Sequence, residues 1–206
     1  MIISVRLFLT IAAKINEGDI FYLDEILGEG LAVGEGNPIH TLMEVITKLG
    51  SVPFLTFATI SLAIYLFLAR KHSNQTAIFL LINMIGISLM TTILKDFFHR
   101  DRPGIFEQYD GTGYSFPSGH TTGSISFYGF CAYLVWLHVR ETWKRVILTA
   151  FLLLLALMIS FSRVILAVHY VTDIVAGAAI ASIWLLLCIL LLEVLKWRKQ
   201  RINATL

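Results

Sequence analysis

The chain has 206 residues, of which 57% are hydrophobic and only 15% charged, with a mean hydropathy of +0.77. A soluble domain carries about 25% charged residues because its surface must meet water, so a soluble globular domain and a disordered chain are both excluded. The net charge of +2 gives no sign of a nucleic-acid partner, which leaves one integral membrane domain over 1–206 with the bilayer itself as partner.

Residues 1–13 are apolar but hold Arg6, and as a helix they run about 20 Å, short of the ~30 Å bilayer core. They are expected to form a short or tilted first span, extended by Lys14 reaching for the interface. A span begun further upstream also fits, whereas a signal peptide would need a basic start that is not there.

Residues 14–50 form a polar excursion with seven acids, Glu17, Asp19, Asp24, Glu25, Glu29, Glu35 and Glu44, against Lys14 and Lys48. Inside it, Asn37 and Pro38 have the order of an N-cap followed by proline at N1. Ile39, Leu42, Met43 and Ile46 then recur at helical spacing, and Gly50 is a stop signal. This predicts an amphipathic helix of about three turns, too short to span and suited to the membrane interface.

Five apolar runs follow, at 52–68, 76–98, 119–137, 146–168 and 173–195. A spanning segment must satisfy its own backbone, so each is expected to be helical. With the short first helix they predict an all-α, polytopic bundle of six helices with interfacial amphipathic helices beside it. The two cysteines, Cys131 and Cys188, sit in apolar runs and are expected as buried thiols.

Basic residues set the expected orientation. The connections at 69–75 and 139–145 and the tail hold nine Lys or Arg: Arg70, Lys71, Arg140, Lys144, Arg145, Lys196, Arg198, Lys199 and Arg201. Glu141 is their one acid. The positive-inside rule puts these segments in the cytoplasm. The connections at 95–118 and 163–172 then face outward with the acidic excursion.

Those two outward connections carry the chemistry. The first holds Lys95, Arg102 and Pro103, then a Gly-rich loop, then Ser115, Pro117, Ser118, Gly119 and His120. The second holds Ser162, Arg163, His169 and Asp173. Ionisable groups near membrane depth are costly and point to function. Lys95, Arg102 and Arg163 are three cations without a matching set of anions. Ser118 and Gly119 begin a helix, whose free N–H groups and dipole favour an anion. Together they describe a pocket for a tetrahedral oxyanion, most simply phosphate.

The histidines divide the remaining work. His169 and Asp173 are four apart, on one face if the helix extends that far. A carboxylate on one ring nitrogen leaves the other nucleophilic. His120 has no carboxylate in its own motif and is the candidate general acid. The expected reaction is phosphoryl transfer through a phosphohistidine, released by water. His99 and Arg100 stand among these residues, and for each a contact with a substrate head group and no contact are equally open readings. Asp96 and Asp101 balance local cations. Glu107, Asp110 and Tyr114 belong to a solvated loop, and His40, His72 and His138 are structural.

The three motifs, Lys-x6-Arg-Pro at 95–103, Pro-Ser-Gly-His at 117–120 and Ser-Arg-x5-His-x3-Asp at 162–173, resemble the signatures of the type 2 phosphatidic acid phosphatase superfamily. Bacterial lipid phosphatases and vanadium haloperoxidases share these motifs. The resemblance implies a six-helix bundle, no metal and no cofactor. It also implies His169 as nucleophile, Asp173 as its partner, His120 as acid, and Lys95, Arg102, Ser118, Gly119 and Arg163 as phosphate ligands. The stretch from Asp24 and Glu25 to Gly50 and Ser51 is similar to bacterial phosphatidylglycerophosphatase B-like enzymes, which implies a membrane lipid substrate. Phosphatidylglycerophosphate is the first choice and undecaprenyl pyrophosphate the close alternative. A non-enzymatic channel or transporter for anions would also want buried cations, but it has no use for the His169–Asp173 pair. A haloperoxidase would be soluble, against this composition.

Overall fold

The computed structural model describes residues 1–18, 21–69, 74–103 and 113–205. Asp19, Arg70, Lys71, His72, Glu107 and Asp110, named above, lie outside the described residues. Among the described residues the chain is helical, with no strand. The helices are α1 (Ile2–Asn16), α2 (Tyr22–Leu31), α3 (Pro38–Lys48), α4 (Val52–Leu68), α5 (Asn74–Phe98), α6 (Gly119–His138), α7 (Thr142–Ile165) and α8 (Val171–Thr205). Among the described residues, three helices are long and apolar enough to cross a membrane: α5, α7 and 171–202 of α8. The pair α3–α4, bent by 40° at its break, makes a fourth if counted as one span.

The axis of the bundle is α6, which packs against α5, α7 and α8 and touches α4. Its first turns are rich in small polar residues, with Thr121, Thr122, Ser124 and Ser126 all buried. A central helix faces other helices rather than lipid, so its small polar side chains meet partners. Thr122 shares a 2.9 Å hydrogen bond with Thr91 of α5, and the Ser126 carbonyl accepts from the Asn83 side chain at 3.0 Å. At 20 residues it runs about 30 Å, the thickness of a bilayer core.

The polar excursion differs from its expectation in one respect and agrees in another. Asn37 caps α3, accepting from the Ile39 N–H at 2.9 Å, with Pro38 next to it. Yet α3 packs on α7 and leads into α4, and a further helix, α2, precedes it and packs on α7 and α8. The excursion is thus folded onto the bundle. Its buried polar side chains, among the described residues, are Asp24, His40 and Thr47. Helix α1 has 15 residues and is short, as expected; it leans on α8, with Ile11 and Ala12 closed over Phe116 and Ala176.

Glycines set the closest approaches. A Cβ on Gly86 would lie 2.2 Å from Cζ2 of Trp184, so α5 and α8 touch through the indole, whose Nε1 donates to the Asn83 carbonyl at 3.0 Å. Gly50 likewise admits Ile159 of α7 and Ser124 of α6. Both cysteines are free thiols, Cys188 buried and Cys131 partly so. The C-terminal ends of α5 and α7 and the N-terminal ends of α6 and α8 meet at one end of the bundle. The Ser118 N–H, for example, donates to the Asp173 carbonyl at 3.2 Å. At the other end the Lys196 ammonium donates to the Tyr133 hydroxyl at 2.9 Å, and Arg145 lies over Trp136, 5.1 Å from the ring.

Candidate active site

The end where four helix termini meet holds every residue of the three motifs. Lys95 is in the last turn of α5 and donates to the Tyr114 carbonyl at 2.9 Å. Arg102 donates from Nε to the Gly113 carbonyl and from Nη1 to the Val168 carbonyl, both at 2.9 Å. Arg163, 2% exposed, is in the last turn of α7, where its Nη1 donates to the Thr47 hydroxyl of α3 at 3.0 Å. His120 lies close enough to feel the charges of Arg163, Lys95 and Arg102, and it neighbours the His169 ring. These carbonyl and hydroxyl oxygens hold the three cationic side chains in place at the site end.

Ser118 caps α6. Its hydroxyl accepts from the Thr121 N–H at 3.4 Å and from the Thr121 hydroxyl at 3.2 Å. That leaves the N–H groups of Gly119 and His120 with no carbonyl one turn earlier, as at any helix start. A Cβ on Gly119 would meet only the Thr91 methyl, at 3.9 Å. The glycine therefore keeps space open in front of those N–H groups. The Gly119 face also lines a cavity of about 570 Å³ that runs down between α4, α5 and α6. Lys95 stands in its wall with Thr91 and Thr122, and Leu55, Ile60, Met84, Ile85 and Leu89 are among its apolar lining.

The expectation that His169 and Asp173 share a helical face is corrected. Helix α8 begins at Val171, so His169 precedes it. Helix α7 runs through Arg163 and ends in a tight cap. Ala167, with φ of 55°, is in the left-handed region, and the N–H groups of Val168 and His169 both return to the Arg163 carbonyl at 3.1 and 3.2 Å. This cap turns the chain so that His169 faces the first turn of α8. Asp173 is the third residue of that helix, and its Oδ2 accepts from the Tyr170 N–H at 3.0 Å, half of a capping box. The same oxygen accepts from the Ser115 hydroxyl and lies 3.3 Å from His169 Nδ1. The other ring nitrogen, Nε2, is 3.4 Å from Nη1 of Arg102.

His169 is 3% exposed. Its pKa is lowered to about 4, first by burial, with the Arg102 and Arg163 charges adding to that and Asp173 opposing it. The ring is therefore neutral near pH 7, with Nδ1 oriented by a carboxylate.

Several residues of the site carried no assignment in the sequence. Arg100 could have faced a substrate head group. Instead its guanidinium turns inward, donating to Asp173 Oδ1 at 2.6 Å, to the Thr172 hydroxyl at 2.8 Å and to Asp24 Oδ2 at 2.7 Å. It also stacks on Tyr170, 4.1 Å from the ring. Burial alone would lower the Arg100 pKa, but Asp173 and Asp24 outweigh it and raise the pKa. Asp24, Ser115, Thr47 and Thr172 complete the surroundings. His99 packs edge-on against Tyr114 instead of entering the pocket. His40 pairs with Glu44 at 3.8 Å, and His138 binds its own helix through the Leu134 carbonyl. Among the described residues, no group of three or more His, Cys, Asp or Glu side chains is placed to hold a metal ion.

Comparison with known proteins places this arrangement. A profile described as the PAP2 superfamily matches residues 75–197. Phosphatidylglycerophosphatase B of Bacillus subtilis (strain 168) is 27% identical over 172 residues, which are 82% of this chain and 83% of that protein. Lipid A 4'-phosphatase of Porphyromonas gingivalis is 30% identical over 143 residues, 62% of this chain and 57% of that protein. Among solved structures, a transmembrane PAP2 type phosphatidylglycerolphosphate phosphatase from Bacillus subtilis has a TM-score of 0.81 at 26% identity, covering 91% of this chain and 94% of that one. Aquifex aeolicus LpxE has a TM-score of 0.65 at 24% identity, covering 82% and 96%, a likeness of fold.

Proposed function

The chain belongs to the PAP2 superfamily and is a multi-pass membrane phosphatase of lipids, and from that premise we propose that it hydrolyses a phosphomonoester or pyrophosphate lipid through a phosphohistidine on His169. The observation that carries the proposal is the neutral His169 ring, held at Nδ1 by Asp173, with Nε2 beside Arg102. Nε2 attacks phosphorus and the bond to the leaving oxygen breaks. His120 supplies the proton that oxygen needs. Water then attacks the phosphorus, His120 takes a proton from it, the P–N bond breaks and phosphate leaves.

Lys95, Arg102 and Arg163, with the N–H groups of Gly119 and His120 behind the Ser118 cap, hold the non-bridging oxygens as charge develops. A phosphate dianion among these positive groups also favours a proton on His120. Such a site needs no metal, because the cations do its work. All these roles lie within 95–173 of a single domain.

The lipid class is supported by the cavity of about 570 Å³, which begins at Lys95 and Gly119 and continues as an apolar channel between α4, α5 and α6. A phosphate at the mouth would leave its tail among these helices. The site end faces the extracytoplasmic side on this reading, because Arg140, Lys144, Arg145 and the tail cations gather at the other end. Phosphatidylglycerophosphate is the first choice of substrate, after the similar Bacillus subtilis sequence and structure.

The test is phosphate release from vesicles carrying phosphatidylglycerophosphate, phosphatidic acid or undecaprenyl pyrophosphate, and from a soluble ester, each with and without EDTA. Release should be fastest from phosphatidylglycerophosphate and should survive EDTA. Faster release from undecaprenyl pyrophosphate would reassign the substrate, and a strict Mg²⁺ requirement would overturn the metal-free mechanism.

A further inference from the structure

We propose that Asp24 and Arg100 are positioning residues for His169: α2 reaches across the site end and, through Arg100, holds the Asp173 carboxylate on the imidazole. The proposal rests on the reading of His169 as nucleophile. Its starting point is a carboxylate with an unusual environment. Asp24 belongs to the acidic excursion, yet it is 3% exposed. It accepts the Thr172 N–H at 2.9 Å, the Thr172 hydroxyl at 2.5 Å and Arg100 Nη2 at 2.7 Å.

Two jobs are combined in those contacts. First, Asp24 caps α8 from 148 positions away. Tyr170, at the residue before the helix, has no short oxygen-bearing side chain to bond the Thr172 N–H, and Asp24 takes that role. A carboxylate there also suits the positive end of the helix. Second, Asp24 fixes Arg100. One arm of the guanidinium meets Asp24 Oδ2 while the other meets Asp173 Oδ1. Asp173 then has Oδ2 for Ser115, Tyr170 N–H and His169 Nδ1. With Oδ1 pinned, the carboxylate cannot rotate away from the imidazole. An arginine fork can join two carboxylates in this way, whereas a lysine ammonium is a single point. No phosphate contact is assigned to Arg100, because its Nη1 and Nη2 donate to Asp173, Thr172 and Asp24.

The same geometry fixes the sign of an electrostatic effect on His169. The charged and titratable groups around it are Asp173 on α8, Arg163 on α7, His120 on α6, Lys95 on α5, Arg102 and Arg100 on the connection after α5, and Asp24 on α2, with Tyr170 next to it. Asp96 and Asp101 lie further out, beside Lys95 and Tyr170. Removing the positive Arg100 makes His169 easier to protonate. Removing the negative Asp24 leaves Arg100 less neutralised and makes it harder.

The experiment compares full-length wild type, Arg100→Gln, Arg100→Lys, Asp24→Asn and Asp24→Glu in nanodiscs on one phosphomonoester, measuring kcat, KM and the acid limb of kcat/KM. Substrate ionisation is common to all and cancels. Arg100→Gln should move the acid limb up by about one pH unit, and Asp24→Asn should move it down by a smaller amount. Both should lose kcat, by roughly ten- to a hundred-fold, with KM little changed. Arg100→Lys and Asp24→Glu keep their charges, so they should lose kcat without moving the limb. They also supply the kcat and KM readouts if a neutral variant does not fold.

Unmoved limbs with wild-type kcat would overturn the proposal, and a raised KM with unchanged kcat would make Arg100 a phosphate ligand instead. His169→Ala is measured alongside. If it still turns over, the nucleophile assignment fails. If it is inactive while the Arg100 and Asp24 variants behave as wild type, only the positioning role fails.

Discussion

Protonating His169 should cost the folded protein stability, by an amount the structure sets. The ring lies between the left-handed cap of α7 and the first turn of α8, among Arg102, Arg163 and Asp173. Its pKa falls from 6.5 to about 4, mainly through burial. A fall of that size is worth roughly 3 kcal/mol between the two protonation states. The folded pKa lies below the unfolded one, so the unfolded chain takes the proton first. The stabilisation is therefore complete above pH 6.5 and is lost as the pH falls through 4. The assay is thermal unfolding in detergent micelles across this window, for wild type and for His169→Asn. For a chain of this length the wild type should lose about 10 °C more than the variant. Equal losses would refute the assignment of a buried, neutral ring at this position.

Three further outcomes follow from particular contacts. Asp173→Asn turns an acceptor of the Arg100, Ser115, Tyr170 and His169 donors into a partial donor; kcat should fall by about three orders of magnitude in single-turnover assays. Gly86→Ala puts a methyl 2.2 Å from the Trp184 ring; it should cost about 1–3 kcal/mol, seen as a lower Tm. Ala167→Gly relieves a left-handed residue with φ of 55°. That is worth about 1–2 kcal/mol, which roughly 0.5–1 kcal/mol of added chain entropy and about 0.8 kcal/mol for the lost buried methyl offset, so Tm should stay within about 3 °C of wild type.

The motif residues were legible because their chemistry is local in sequence. Ser118, Gly119 and His120 announce a helix start and an anion site within a few positions, and Asn37–Pro38 announces the α3 cap just as plainly. The pairing of His169 with Asp173 was legible as a contact, but its mechanism was not. Four-residue spacing suggested one helical face, whereas a left-handed alanine and a capping turn bring the two together. Nothing in the spacing of Ser162 and Asp173 reveals that cap.

Asp24 was out of reach for a different reason. Nothing local in the polar stretch separates Asp24, which is buried, from Glu17, Glu25 and Glu35, which are exposed. Its partners, Arg100 and Thr172, are 76 and 148 positions away. The polarity of α6 was legible in composition, but its central position is a property of packing, since only a helix shielded from lipid can bury Thr121, Ser124 and Ser126.

The most direct measurement is a rapid quench into alkali during turnover of a lipid substrate labelled in its phosphoryl group, followed by mapping of the label. A phosphoryl group on His169, absent from His169→Ala and accumulating in His120→Ala with a good leaving group, is the expected result. Label on any other residue, or full turnover by His169→Ala, would contradict it.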